Sequence, residues 1–177
     1  FYLDVIKDRL YCDSRESLSR RSAQTAIYRV LDAMTRLLAP VLCFTADEIW
    51  LAMPHGENED ARAVALNDMP EADKALTLSE EEEAHWSKVM RVRADVNKAL
   101  ELARAEKLIG KPLDARVTLY VSEAAEGPFA ELEGEDLAPL CIVSELKIVH
   151  GAGEGVRGEN FDGLTVHVDP SAVPRCA

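Results

Sequence analysis

With 177 residues, 19.5 kDa and a formal net charge of −12, the chain is long enough to bury a sizeable core in one or two domains. Its 47% hydrophobic and 29% charged residues are ordinary for a soluble globular protein, and no apolar run is long enough to span a bilayer. The acidity excludes an indiscriminate nucleic-acid binder, and four scattered cysteines without a Cys-x-x-Cys pair suit reduced thiols better than a disulfide framework.

Residues 1–10 read as the end of a helix, with Leu3, Ile6 and Leu10 on one face. The chain opens on Phe1 inside that pattern, without a signal peptide, and is expected to be an excised fragment. Asp13 to Ser17 form a polar break. From Arg21 to Leu38, Ala23, Ile27, Val30, Leu31, Met34, Leu37 and Leu38 recur at helical spacing, until Pro40 stops the helix. Thr45-Ala46-Asp47-Glu48 has the form of a capping box and predicts a short helix carrying Ile49, Trp50 and Met53. Residues 54–78, acidic and with two prolines, read as an extended surface connection.

Ser79-Glu80-Glu81-Glu82 is a second capping box. It predicts a long helix to about Leu108, with Trp86, Val89, Val92, Val96, Leu100 and Ala103 inward, stopped by Gly110 and Pro112. The period then alternates. Arg116–Val121, Ser144–His150 and Leu164–Val168 read as strands, with a short helix from Ala124 to Leu132. The expected fold is mainly α: a helical bundle over 1–111, followed by a small α+β domain of about three strands over 112–177.

Charge is unevenly divided. Residues 1–53 are net zero and 84–111 net +4, whereas 54–83 and 112–177 are each net −8. Lys7, Arg9, Tyr11, Arg15, Arg20 and Arg21 surround the first helix–helix junction. Arginine offers bidentate phosphate contacts, and tyrosine or arginine planes stack on unpaired bases. The competing account is solvated surface charge, with Arg9 paired to Asp4, Asp8 or Asp13. A second basic set, Lys88, Arg91, Arg93, Lys98, Arg104 and Lys107, lies on the long helix, where Asp95 and Glu101 offer simple pairing instead.

The glycine-rich segment 151–158 lacks the Lys-Ser/Thr of a phosphate loop and reads as a connection between strands. His150 and His167 could face each other across a hairpin, but no histidine or cysteine pair has ligand spacing. Cys12, Cys43 and Cys141 lie beside apolar residues and read as structural thiols. No catalytic motif stands out.

Tyr2-Leu3-Asp4, Lys7-Asp8-Arg9-Leu10-Tyr11, Arg21-Ser22-Ala23-Gln24-Thr25 and Phe44-Thr45-Ala46-Asp47-Glu48-Ile49-Trp50 together resemble the anticodon-binding region of bacterial isoleucyl-tRNA synthetases. The match continues more loosely at Trp86, Arg91, Val96, Leu100-Glu101, Arg104 and Leu108-Ile109-Gly110, and is weak beyond Val121. The resemblance implies a helical domain that grips the anticodon stem-loop of isoleucine tRNA, then a small junction domain. It places RNA contacts at Lys7, Arg9, Tyr11, Arg20, Arg21 and Gln24, with Arg91 and Arg93 in a lesser role. The family's His-Ile-Gly-His and Lys-Met-Ser-Lys-Ser motifs are not in this sequence, so the fragment is not expected to activate isoleucine; the parent would use ATP with magnesium. Many bacterial members end in a zinc module of two Cys-x-x-Cys pairs, which makes Cys176 a candidate first ligand whose three companions are missing. Expected partners are isoleucine tRNA and the rest of a synthetase chain, in a cytoplasmic monomer without DNA or membrane. The alternatives are the equivalent domain of a valyl- or leucyl-tRNA synthetase, a helical protein-interaction module with a large exposed apolar face, and a hydrolase using Cys12 or Cys141.

Overall fold

The computed structural model describes residues 1–172. It divides into two compact units, Phe1–Thr77 and Leu78–Ala177, each with its own buried cluster. The helical character and the small sheet agree with the expected class.

In the first unit, α1 (Tyr2–Val5) and α2 (Lys7–Tyr11) meet at Ile6. Ile6 is buried, whereas Leu3, expected on the same inner face, is exposed. Helix α3 (Leu18–Leu38) starts ahead of Arg21 because the Ser17 hydroxyl accepts the Arg20 N–H at 3.1 Å, an N-cap. Helix α4 (Cys43–Ala52) also starts early, with Leu42 at its N-cap. The N–H groups of Val41 and Leu42 both close onto the Leu38 carbonyl. That tight turn delivers the chain to α4 before Thr45, so the expected Thr45–Glu48 capping box does not form.

Residues 54–77 are irregular, with 3-10 turns at Val64–Leu66 and Lys74–Leu76, but they are pinned in place. Trp50, fully buried with Ala46 and Val64, donates from Nε1 to the Asp60 carbonyl at 3.0 Å. Arg36 lies 4.8 Å over the Trp50 ring. It also pairs with Asp32 at 2.8 Å and with Glu59, and it donates to the Asp68 carbonyl at 3.2 Å. Asp47 accepts the Val64 N–H at 2.8 Å, and Tyr28 donates to the Pro54 carbonyl at 3.0 Å. One arginine and one tryptophan thus gather an acidic segment that would otherwise repel itself.

The second unit opens with α5 (Glu80–Ala105). Its predicted capping box is present: Ser79 Oγ accepts the Glu82 N–H, and Glu82 accepts the Ser79 N–H at 2.8 Å. Val89, Val92, Val96, Leu100 and Ala103 are buried as expected, but Trp86 is exposed. Strands β1 (Ala115–Val121), β2 (Glu145–His150), β3 (Val156–Arg157) and β4 (Leu164–Pro170) form a sheet of order β2-β1-β4-β3. β2 is parallel to β1; β4 is antiparallel to both β1 and β3. β3, inside the glycine-rich segment, is additional to the three expected strands. Helix α6 (Glu126–Ala130) matches expectation, whereas α7 (Leu137–Cys141), capped by Asp136, was not anticipated. Because β1 separates β2 from β4, His150 and His167 do not face each other; His150 meets Glu133 at 2.9 Å and His167 meets Asp169 at 3.2 Å.

The sheet's inner face, Val117, Leu119, Val121, Leu164 and Val166, shares one core with α5. The long helix, grouped by sequence with residues 1–111, therefore belongs to the compact unit that contains the sheet. Buried Asp95 on α5 secures this arrangement. Its carboxylate accepts the N–H groups of Glu159, Asn160 and Phe161 at 2.8–3.0 Å and the Asn160 amide at 2.7 Å. Burial opposes its ionisation, but these donors outweigh that cost and hold its pKa below the ordinary value. Gly158 fits closely here: a Cβ would lie 2.7 Å from Asp95 Oδ2 and 2.8 Å from the Phe161 carbonyl.

Candidate nucleic-acid interface

Arg15, Arg20 and Arg21 gather around the turn between α2 and α3. Arg20 Nη1 donates to the Asp13 carbonyl at 3.2 Å, and the Ser17 hydroxyl donates to the Asp13 carboxylate at 3.1 Å. Those contacts fold residues 12–17 back onto the start of α3. Arg15, Arg20, Arg21 and Gln24, with Glu16, consequently line one shallow depression of about 510 Å³. Arg21 meets Glu16 only at 3.8 Å, with both side chains mostly exposed, an ion pair worth little in water. The site therefore presents three guanidinium groups and an amide against one loosely held carboxylate.

Lys7 is 2.8 Å from Asp4 Oδ1, a hydrogen bond that raises its pKa and keeps it charged. Arg9 is exposed and, among the described residues, has no ion-pair partner, so the pairing to Asp4, Asp8 or Asp13 of the competing account does not occur. Tyr11 is 80% exposed, its ring open to stacking.

The second basic set, Lys107 apart, is engaged within its own unit. Arg91 donates to the Asn160 carbonyl and lies 5.5 Å over the Phe161 ring; Arg93 donates to the Leu140 carbonyl at 3.0 Å. Lys88 pairs with Glu131, Lys98 with Glu159, and Arg104 with Glu101 at 2.8 Å. Asp95, expected as a pairing partner on the helix, instead holds the 159–161 loop. The charges that give segment 84–111 its excess are mostly spent on packing α5 against its neighbours.

Cys12 and Cys43 are exposed, contrary to a structural role in the core, and Cys141 is buried. Burial pushes the Cys141 thiol up to about 12, leaving it protonated and unsuited as a nucleophile at neutral pH. Cys176 lies outside the described residues. Among the described residues no group of three or more His, Cys, Asp or Glu side chains could hold a metal ion. No described helix is long and apolar enough to cross a membrane.

A separate feature of the first unit is an apolar strip. Val30, Met34, Leu37, Leu38, Val41 and Phe44 are all exposed, from 42% at Leu38 to 89% at Phe44. Their periodicity, which predicted α3 correctly, does not mark burial within the first unit.

A family model described as the anticodon-binding domain of tRNA ligase matches residues 1–119, taking in all the basic residues just described. Over 176 residues the chain is 44% identical to an isoleucine–tRNA ligase of Syntrophotalea carbinolica, covering 99% of this chain and 19% of that protein. It is 41% identical over 179 residues to the enzyme of Marinomonas sp., again 99% and 19%, and 40% identical over 181 residues to that of Coxiella burnetii, 100% and 19%. The chain thus spans about a fifth of the length of these relatives. Basic residues around an exposed helical turn and the extent of the family match agree: the chain belongs to the family of anticodon-binding domains of tRNA ligases.

Proposed function

We propose that this chain is the tRNA-binding region of an isoleucine–tRNA ligase, and that it grips the anticodon stem-loop of isoleucine tRNA. The observation that carries this reading is the cluster of Arg15, Arg20, Arg21 and Gln24 at the start of α3, within the matched family region. In a chain of net charge −12, a confined basic site favours one docking mode, because the remaining surface repels phosphate. Lys7, Arg9, Arg20 and Arg21 supply phosphate contacts, Tyr11 a stacking face, and Gln24 hydrogen bonds to base edges. Arg91 and Arg93 act chiefly by holding the second unit together. The region's part in aminoacylation is positioning: energy from the anticodon loop fixes the acceptor end at a distant active site, where ATP and magnesium do their chemistry. Its place of work is the cytoplasm.

The exposed strip from Val30 to Phe44 supports a second contact. An apolar surface of this extent marks a protein interface, and the relatives carry about four-fifths of their length outside the matched stretch. We assign it to the remainder of the synthetase chain. The reading as a free-standing interaction module explains this strip but leaves the basic cluster without a purpose.

The direct test is charge reversal. The Arg20→Glu/Arg21→Glu double variant is expected to lower affinity for isoleucine tRNA at least tenfold. It should also flatten the log affinity–log salt slope by about 1.4, the value for two lost single-strand phosphate contacts. Unchanged affinity and slope in a titration monitored by fluorescence anisotropy would remove the site assignment.

A further inference from the structure

Beside the basic depression runs a longer groove of about 680 Å³, walled by Leu18, Arg21, Thr25, Arg29 and, from the Lys74–Leu76 turn, Leu76. Glu16 and Arg21 line both hollows, so the two are continuous around the first half of α3. Arg21, Thr25 and Arg29 recur at four-residue spacing and stack along one helix face. The Thr25 hydroxyl donates back to the Arg21 carbonyl at 2.9 Å, so the row's outward polar groups are its two guanidinium ions.

Neither arginine is committed. Arg21 approaches Glu16, and Arg29 approaches Asp73, each only at 3.8 Å; the arginine side chains are 67% and 58% exposed. Such pairs contribute little and yield readily to a phosphate. The groove's apolar contribution is equally open, with Leu18 at 82% and Leu76 at 62% exposure. An apolar slot flanked by two loosely held guanidinium groups, and continuous with a basic depression, suits a molecule with one flat apolar part between two anionic groups. An unpaired nucleotide within an RNA strand has that chemistry. An apolar peptide would cover the leucines but leave both arginines without an anion.

Resting on the tRNA-binding reading, we propose that this groove seats one unpaired nucleotide of the bound RNA. Its base lies over Leu18 and Leu76, and its flanking phosphates lie on Arg21 and Arg29. Arg29 thereby joins the contact residues, and Leu76 brings the acidic connection into the recognition surface.

The test uses the 177-residue chain with a fluorescent RNA stem-loop carrying the isoleucine anticodon arm, together with versions in which each loop base in turn is made abasic. Loss of the seated base is expected to weaken binding by roughly 5-fold, the low end of what a base stacked on an aromatic ring contributes, because Leu18 and Leu76 offer apolar contact without a ring. In Leu76→Ser, an exposed substitution, that abasic penalty should shrink while the penalties at other loop positions persist. Arg29→Gln should weaken every loop several-fold and reduce the salt slope by about 0.7. Identical abasic profiles for Leu76→Ser and the parent chain overturn the groove. If Arg20→Glu/Arg21→Glu still lowers affinity at least tenfold in that case, the groove fails alone; if it does not, the tRNA-binding reading fails with it.

Discussion

Replacing Trp50 with alanine is expected to destabilise the first unit by about 3–5 kcal/mol, the usual cost of truncating a large buried aromatic. The indole is fully buried beside Ala46 and Val64, and its removal takes one of two donors from the Asp60 carbonyl, the Asn67 amide remaining. It also removes the ring beneath Arg36 at 4.8 Å, and Arg36 is the group that gathers Asp32, Glu59 and the Asp68 carbonyl. The buried cluster of this unit is small, so the loss falls on a large share of its stability. Hydrogen exchange read by mass spectrometry should show faster exchange across α3, α4 and residues 54–77, with α5 and the sheet unchanged. Uniform acceleration over the whole chain would contradict two separately stabilised units.

Asp95→Ala should have a comparable effect on the second unit, on the order of 3–5 kcal/mol, because three backbone N–H groups and an amide lose their acceptor inside the protein. The wild-type chain carries the matching pH dependence. The folded-state pKa of Asp95 lies below its ordinary value. Its stabilisation is therefore complete above about pH 4, the unfolded value, and is lost as pH falls through the folded pKa. Melting of the second unit followed from pH 7 to 3 should decline in that acid range. Asp95→Ala should begin lower at pH 7 and decline less. Parallel curves for the two proteins would show that Asp95 is not the linked group.

Much of this architecture was legible in sequence wherever a local pattern coincides with the burial that decides it. Alternation over Arg116–Val121 and Leu164–Val168 marks strands with one face on a core, and β1 and β4 follow. Ser79 and Glu82 form their capping box because both partners lie within one turn. What escaped depends on contacts between distant residues. Nothing local identifies Arg36 as the organiser of residues 54–77, or Asp95 as the anchor of the 159–161 loop. The boundary after Lys111 follows the change of period from helix to strand, whereas α5 shares its core with the strands beyond it. The strip from Val30 to Phe44 shows the converse: apolar periodicity predicts a helix correctly even where the surface it creates is not buried within its own unit.

The candidate site divides the same way. Arg15, Arg20, Arg21 and Gln24 are close in sequence and come together on one helical turn. Arg91 and Arg93 share the same residue type, yet their carbonyl partners lie 69 and 47 residues away. Composition cannot separate a cation that awaits a ligand from one already used in packing. Arg29 carried a signal in its four-residue spacing from Thr25 and Arg21, but its significance depends on Leu76, which only the fold brings near.

The central claim is selective recognition of isoleucine tRNA through the basic face of the first unit. It is tested most directly by titrating the 177-residue chain with isoleucine tRNA and with a non-cognate tRNA of equal length, across a range of potassium chloride concentrations. The expected result is tighter binding of the cognate tRNA at every salt concentration, with a steep salt dependence for both. Equal affinities for the two tRNAs throughout that range would contradict it.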